Sequence, residues 1–208
     1  MHKLLLRGEI DVNCYFIEHN KKCYIVDPGY ERERIIKYVE DNNLEVMGIL
    51  LTHGHYDHVG AIDCFDVPVY IHKTEYSFLK TDEINGFKSH NKLKPYSVDD
   101  LNIVKIEDSD VIEFDDKKIE VIHTPGHTAG CVCYKFENDL FSGDTLFKEA
   151  VGRFDFPTGD LNALKKSVVN LIDSLDDDVN VHPGHMDSST IKYEKENNDY
   201  YLEWKVSL

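Results

Sequence analysis

Apolar and polar residues fall into short blocks that change character along the chain. "KLLLRG", "CYFIEH" and "KCYIVD" read as three short strands, with Asn20 and Lys21 at the turn between the last two. "DPG" at 27–29 ends the third. "ERERIIKYVEDNN" places Ile35, Ile36 and Val39 at helical spacing, which predicts an amphipathic helix. "VMGILL" is a continuous apolar run suited to a buried strand. A short helix over "HVGAIDCF", a strand over "VPVYIH" and a helix over "TEYSFLK" follow. Residues 81–103 are polar and irregular, with Gly86 and Pro95, and read as a loop beside a functional site.

A second set of strands comes next: "DVIEF", "KKIEVIHT", "CVCYKFE" and "DLFSGD". "DLNALKKSVVNLID" puts Leu161, Leu164, Val168, Leu171 and Ile172 on one stripe of a helix. "DVNVHPGH" is a last short strand, "STIKYEKENN" reads as helical, and "YYLEW" closes the pattern. Two sets of strands, each followed by helix, predict an α/β fold with two packed sheets and helices outside. One domain spanning 1–208 is expected, without repeats or a low-complexity linker.

Composition narrows the function classes. The chain of 208 residues is 41% hydrophobic and 30% charged, ordinary for a globular protein. No apolar run approaches the ~18–20 residues of a membrane span. The start "MHKLLLRGEIDVNC" does not read as a signal peptide, so a cytoplasmic location is expected. A formal net charge of −16 disfavours a nucleic-acid partner. A small-molecule substrate, no membrane and a monomer or homodimer are the expected associations. The five cysteines include no C-x-x-C pair, so neither a disulfide framework nor a thiolate zinc site is expected. Cys131 and Cys133 read as small core residues.

The chemistry concentrates in "THGHYDHVG" at 52–60, where three histidines and one aspartate crowd one loop. Neutral imidazoles and carboxylates are zinc ligands, but one tetrahedral ion cannot easily take all four from so short a segment. His53 and His55, flanking Gly54, suit one ion; Asp57 and His58 suit a second, adjacent ion. Further donors stand where loops leave strands: His127 in "VIHTPGHTAG", Asp144 in "LFSGDTLF" and His185 in "VHPGH".

The order H-x-H-x-D-H, then H, D and H, resembles the metallo-β-lactamase superfamily. "HTPGHTAG", "SGDTLF", "GRFDFPTGD" and "HPGH" resemble its short glyoxalase II-like branch. The resemblance runs from about residue 10 to 190 and implies a four-layer αββα sandwich. It would put His53, His55 and His127 on one metal, Asp57, His58 and His185 on the other, and Asp144 between them. The implied cofactor is two divalent ions, zinc first, with iron or manganese as alternatives. Two such ions, set against Asp57, Asp144 and a bridging hydroxide, leave about +1 and lower the pKa of bound water from ~15.7 toward ~7. Asp57, Asp144 and Arg153 are the implied catalytic residues.

The implied reaction is hydrolysis of a thioester or ester. Full-length glyoxalase II proteins carry a C-terminal helical domain that grips glutathione, and none is expected here. A persulfide dioxygenase using a single iron shares the motif and is the alternative; Thr145, where those proteins usually have Ala, favours the hydrolase. β-Lactamase, lactonase, nuclease and non-catalytic readings fit less well. The remaining polar residues carry plainer expectations. Asp27 is expected to brace the metal loop through hydrogen bonds. Arg153 and Asp155 read either as a surface ion pair or, preferred, as part of a loop edging the site, with Lys148 pointing the same way. His123 and His182 are expected to be structural, and His2, His19, His72 and His90 to lie on the surface or in loops.

Overall fold

The computed structural model describes residues 1–90, 92 and 94–207. They divide into two compact units, Met1–Ile106 and Glu107–Leu208.

The first unit opens with β1 (His2–Leu6), β2 (Val12–His19) and β3 (Lys22–Val26), an antiparallel meander. Asn20 and Lys21 both adopt positive φ, as a two-residue hairpin turn requires. Helix α1 (Arg32–Asp41) crosses over to β4 (Glu45–Leu50), which lies parallel to β3. The four-residue helix α2 (Tyr56–Val59) follows, then β5 (Val69–His72), α3 (Glu75–Lys80), a 3₁₀ turn at Val98–Asp100 and β6 (Ile103–Ile106). β5 and β6 continue the sheet in parallel, giving the order β1-β2-β3-β4-β5-β6. β4 and the residue after it deliver Ile49, Leu50 and Leu51 into the core, fully buried together with Phe16, Ile25 and Ile35. Burial of each such side chain is worth roughly 1.5–3 kcal/mol.

The second unit begins with β7 (Val111–Phe114), β8 (Lys117–His123), β9 (Val132–Phe136) and β10 (Asp139–Gly143), joined antiparallel. A small ribbon of β11 (Leu146–Phe147) and β12 (Ala150–Val151) precedes α4 (Leu161–Ser174). Asp160 caps α4, accepting the Ala163 amide at 2.9 Å. Leu164, Val168, Leu171 and Ile172 are buried as the stripe predicts, with Leu161 half-buried. β13 (Asn180–Pro183) lies parallel to β10, and β14 (Ser189–Thr190), α5 (Ile191–Asn197) and α6 (Asp199–Trp204) follow. The sheet order is β14-β13-β10-β9-β8-β7.

Two six-stranded sheets with helices bear out the α/β expectation. Three details differ. The stretch read as irregular through 103 gives way to β6, which pairs with β5 from Val69↔Ile103 to His72↔Ile106. The helix expected over 58–65 instead starts at Tyr56 and stops before Gly60. His72 is not a surface or loop residue: it ends β5, is buried, and its Nδ1 lies 2.8 Å from Thr74 Oγ1, which satisfies it inside. Cys131 and Cys133 are buried as expected, and burial pushes the Cys133 thiol up to about 12. Among the described residues no helix is long and apolar enough to cross a membrane.

Candidate metal centre

In the first unit the donors lie on the loop that leaves β4. Asp27 sits just past β3 with φ 50, a left-handed conformation that aspartate tolerates better than most side chains. Its amide donates to the Leu50 carbonyl at 3.1 Å, tying it to the end of β4. Its carboxylate accepts the Thr52 amide at 2.8 Å and the Thr52 hydroxyl at 2.6 Å. The same carboxylate lies 2.9 Å from His58 Nδ1. A carboxylate can only accept, so Nδ1 carries the proton and His58 Nε2 keeps its lone pair. Thr52 has a single hydroxyl proton, already given to Asp27. Its oxygen therefore accepts from His53 Nδ1 at 3.1 Å, and His53 too is held with Nε2 as the donor atom.

The loop is tightly enclosed. His53, His55, Asp57 and His58 are all buried. The His53 ring centroid is 4.8 Å from that of His55 and 4.2 Å from that of His58. His58 Nε2 is 3.6 Å from Asp57 Oδ2. Glu75, buried at the start of α3, accepts the Gly54 amide at 3.0 Å and clamps the loop from behind. Gly29 is needed because a Cβ there would fall 1.7 Å from the Asp57 carbonyl oxygen. Asn85 reaches the same loop, since the Tyr56 amide donates to its carbonyl at 2.8 Å.

In the second unit the donors come from three separate strand ends. His127 follows β8, and its Nδ1 lies 2.6 Å from the Arg153 carbonyl oxygen. That bond again leaves Nε2 as the lone-pair nitrogen, 3.5 Å from Asp144 Oδ2. Asp144 follows β10 directly, and the same Oδ2 lies 3.5 Å from His185 Nε2. The Gly184 amide donates to the Gly143 carbonyl at 2.8 Å, binding the "HPGH" turn to the Asp144 turn. A Cβ on Gly152 would fall 1.8 Å from the Asp144 carbonyl oxygen, so only glycine allows this approach.

Each unit's donors fit divalent ions. Two ligand atoms bound at ~2.1 Å to one tetrahedral ion stand ~3.4 Å apart, close to the three separations above. One Asp144 oxygen, Oδ2, stands equally far from the imidazoles of His127 and His185. The donor set is nitrogen and oxygen only, and His53, His58 and His127 each have Nδ1 anchored.

The remaining candidates separate clearly. The Arg153 guanidinium forms a bidentate pair with Asp155, at 2.9 and 2.8 Å, exposed and stacked 4.2 Å from the Phe156 ring centroid. The pair raises the Arg153 pKa and lowers that of Asp155. Arg153 thus meets His127 through its backbone while its side chain makes the surface ion pair. Lys148 stands over the Tyr193 ring, 5.3 Å from its centroid. His123 Nε2 lies 3.0 Å from the Ala129 carbonyl oxygen, bracing the His127 turn. His182 lies between Asp139 and Ser188. His2 stacks on Tyr38, His19 meets Asn20, and His90 stacks on Tyr56. Thr52 and Glu75 are contributors that sequence reasoning missed. Thr52 precedes the motif and could have been flagged; no local signal marks Glu75.

A family model described as the metallo-β-lactamase superfamily matches residues 7–185. A protein of Aquifex aeolicus (strain VF5) is 42% identical over 95% of both chains. The probable metallo-hydrolase YqgX of Bacillus subtilis is 31% identical over 93% of each. The hydroxyacylglutathione hydrolase GloC of Haemophilus influenzae is 32% identical, covering 90% of this chain and 92% of that protein. Among solved structures, the BLEG-1 B3 metallo-β-lactamase gives a TM-score of 0.88 at 32% identity, covering 96% of this chain and 98% of that one. TTHA1623 in a di-iron-bound form gives 0.84 at 31% identity, covering 96% and 100%.

Proposed function

The chain belongs to the metallo-β-lactamase superfamily, and from that premise we propose that it is a metal-dependent hydrolase of a thioester or ester, with a hydroxyacyl thioester such as S-lactoylglutathione as substrate. The observation that carries the dinuclear reading is Asp144, whose single oxygen stands 3.5 Å from the Nε2 atoms of both His127 and His185. The likeness to GloC, over nearly the whole of both proteins, supports the thioester.

In this reading, which follows the family resemblance, His53, His55 and His127 would hold one ion, Asp57, His58 and His185 would hold the other, and Asp144 would serve both. Divalent ions held there would polarise the substrate carbonyl and make water nucleophilic near neutral pH. The protein's own part is positional. Asp27 and Thr52 fix the tautomers of His58 and His53, and the Arg153 carbonyl fixes that of His127. Glu75 holds the Gly54 amide, so the loop enters the reaction already in shape. No general acid is required for a thioester, because a thiol of pKa ~8.5 departs readily as thiolate.

Metal analysis of protein purified without chelator tests the proposal together with S-lactoylglutathione turnover. Two ions per chain and hydrolysis that a chelator abolishes are expected. One iron per chain, with oxygen consumed in the presence of a persulfide, would overturn it.

A further inference from the structure

A second cluster in the Glu107–Leu208 unit has the parts of a nucleophilic hydrolase. His182, on β13, is buried against Phe141, with ring centroids 5.4 Å apart. Its Nε2 lies 2.9 Å from Asp139 Oδ1, on the neighbouring parallel strand β10. Asn180 Nδ2 donates to the same oxygen at 3.0 Å, holding the carboxylate in place. The other ring nitrogen, Nδ1, lies 3.0 Å from Ser188 Oγ, on the exposed turn before β14. An acid, an imidazole and a hydroxyl are thus linked in series within ordinary hydrogen-bond distances.

The protonation pattern follows from the chemistry of the partners. A carboxylate accepts only, so the imidazole proton sits on Nε2, facing Asp139. Nδ1 then offers its lone pair to the Ser188 hydroxyl. This is the division of labour of a serine triad, with the two ring nitrogens exchanged, and such triads are defined by geometry and role rather than chain order. A cavity of about 270 Å³ opens beside the hydroxyl, lined by Lys148, Asn180, His182, Ser188, Thr190 and Tyr193 among others. The ammonium of Lys148, stacked on Tyr193, puts a positive charge at this cavity. A positive charge is what a carbonyl oxygen needs when it gains negative charge.

We propose that Ser188, His182 and Asp139 form a second, metal-independent acyl-transfer site, whose substrate is a small activated ester. Ser188 Oγ attacks the ester carbonyl carbon as its proton passes to His182 Nδ1, and Asp139 stabilises the imidazolium. The bond to the leaving alkoxide breaks, and His182 gives that group the proton. Water then cleaves the acyl-serine by the reverse transfers, releasing the acid. This activity is separate from the metal-dependent one proposed above and does not rest on it.

A fluorophosphonate probe tests the site directly, because it forms a phosphorus–oxygen bond to an activated serine and releases fluoride. Peptide mapping by mass spectrometry should find the adduct on Ser188, and Ser188→Ala should abolish it. Asp139→Asn and His182→Gln should slow labelling at least ~100-fold, the lower end of the range for loss of general-base assistance. Circular dichroism checks that each variant folds. The wild-type adduct alone keeps the test decisive if a variant does not fold. Labelling should be the same with and without a chelator. No adduct on Ser188, an unchanged rate in folded His182→Gln, or labelling lost on chelation would overturn the proposal.

Discussion

The two units solve the same problem, presenting aimed imidazoles and carboxylates, by different means. The first unit packs His53, His55, Asp57 and His58 into one turn and braces them with remote side chains, Asp27 and Glu75. The second unit scatters His127, Asp144 and His185 over three strand ends and braces them with backbone: the Arg153 carbonyl, the Gly184–Gly143 hydrogen bond and the bare Cα of Gly152. A contiguous cluster is rigid only if something outside it holds the loop. A dispersed cluster inherits its rigidity from strands already fixed in a sheet, so main-chain groups suffice. The first unit should therefore be sensitive to changes in supporting side chains, and the second to changes that move its backbone.

The largest expected effect removes an oxygen that stands 3.5 Å from two imidazoles. Asp144→Ala should lower kcat/KM by more than ~100-fold, beyond the ~10–100-fold typical of groups that only orient ligands. It should also reduce bound metal per chain while leaving the circular dichroism spectrum unchanged. Full metal content in the variant would remove Asp144 from the ligand set.

Next come the supports themselves. Asp27→Ala frees the Nδ1 side of His58 and releases both Thr52 donors, so metal affinity or activity should fall ~10–100-fold. Gly152→Ala is the matching change in the second unit. Its Cβ cannot coexist with the Asp144 carbonyl, so the turn must move, with a similar loss. Metal titration of the two variants beside wild type measures both. A harmless Gly152→Ala would show that backbone contact does not position Asp144.

These supports also mark where the sequence stops being legible. The four-donor turn was plain because its residue types are dense and adjacent. The α4 stripe was plain because five apolar residues follow one helical face. Asp27 could be guessed from its place in a turn, but Glu75 could not, because the distance it closes exists only after α3 has folded back onto the loop. His72 was misplaced for the same reason: a polar residue read in isolation goes to the surface, and its hydrogen bond to Thr74 offsets the cost of burial. β6 was overlooked although its own residues, Ile103, Val104 and Ile106, favour a strand, and β5 offers them a parallel edge. The separations of Asp144 from His127 and His185 likewise come from strand pairing, which no local pattern states.

A smaller effect sharpens the contrast between side chain and backbone. The Arg153 guanidinium is exposed and paired with Asp155, whereas its carbonyl oxygen meets His127. Arg153→Ala retains that carbonyl, so kcat/KM should change by less than roughly 5-fold, in line with the small worth of exposed ion pairs. A loss comparable to that of Asp27→Ala would give the guanidinium a direct role with substrate.

The smallest effect concerns the cysteines, which occur in both units and should contribute ligands in neither. Cys14, Cys23, Cys131 and Cys133 are buried, and Cys64 is half-buried. Burial pushes Cys23, Cys64 and Cys133 up to about 12, and raises Cys14 well above its ordinary value. A neutral thiol is a poor nucleophile and a poor metal ligand. A disulfide reagent at pH 8 should therefore react slowly with the native protein and with all five thiols after denaturation. The same shifts fix a pH dependence. Unfolded thiols lose their protons near the ordinary 9.0, whereas the folded Cys23, Cys64 and Cys133 keep theirs to about 12. Across that window the folded state binds more protons, so this contribution to stability is intact below about pH 9 and is lost as pH rises toward 12. Urea midpoints measured from pH 8 to 10 should fall, and serine at Cys133 should flatten that fall. A thiol that reacts within seconds in the native protein would mean that one of these side chains reaches solvent as thiolate, and the all-nitrogen-and-oxygen donor set would need revision.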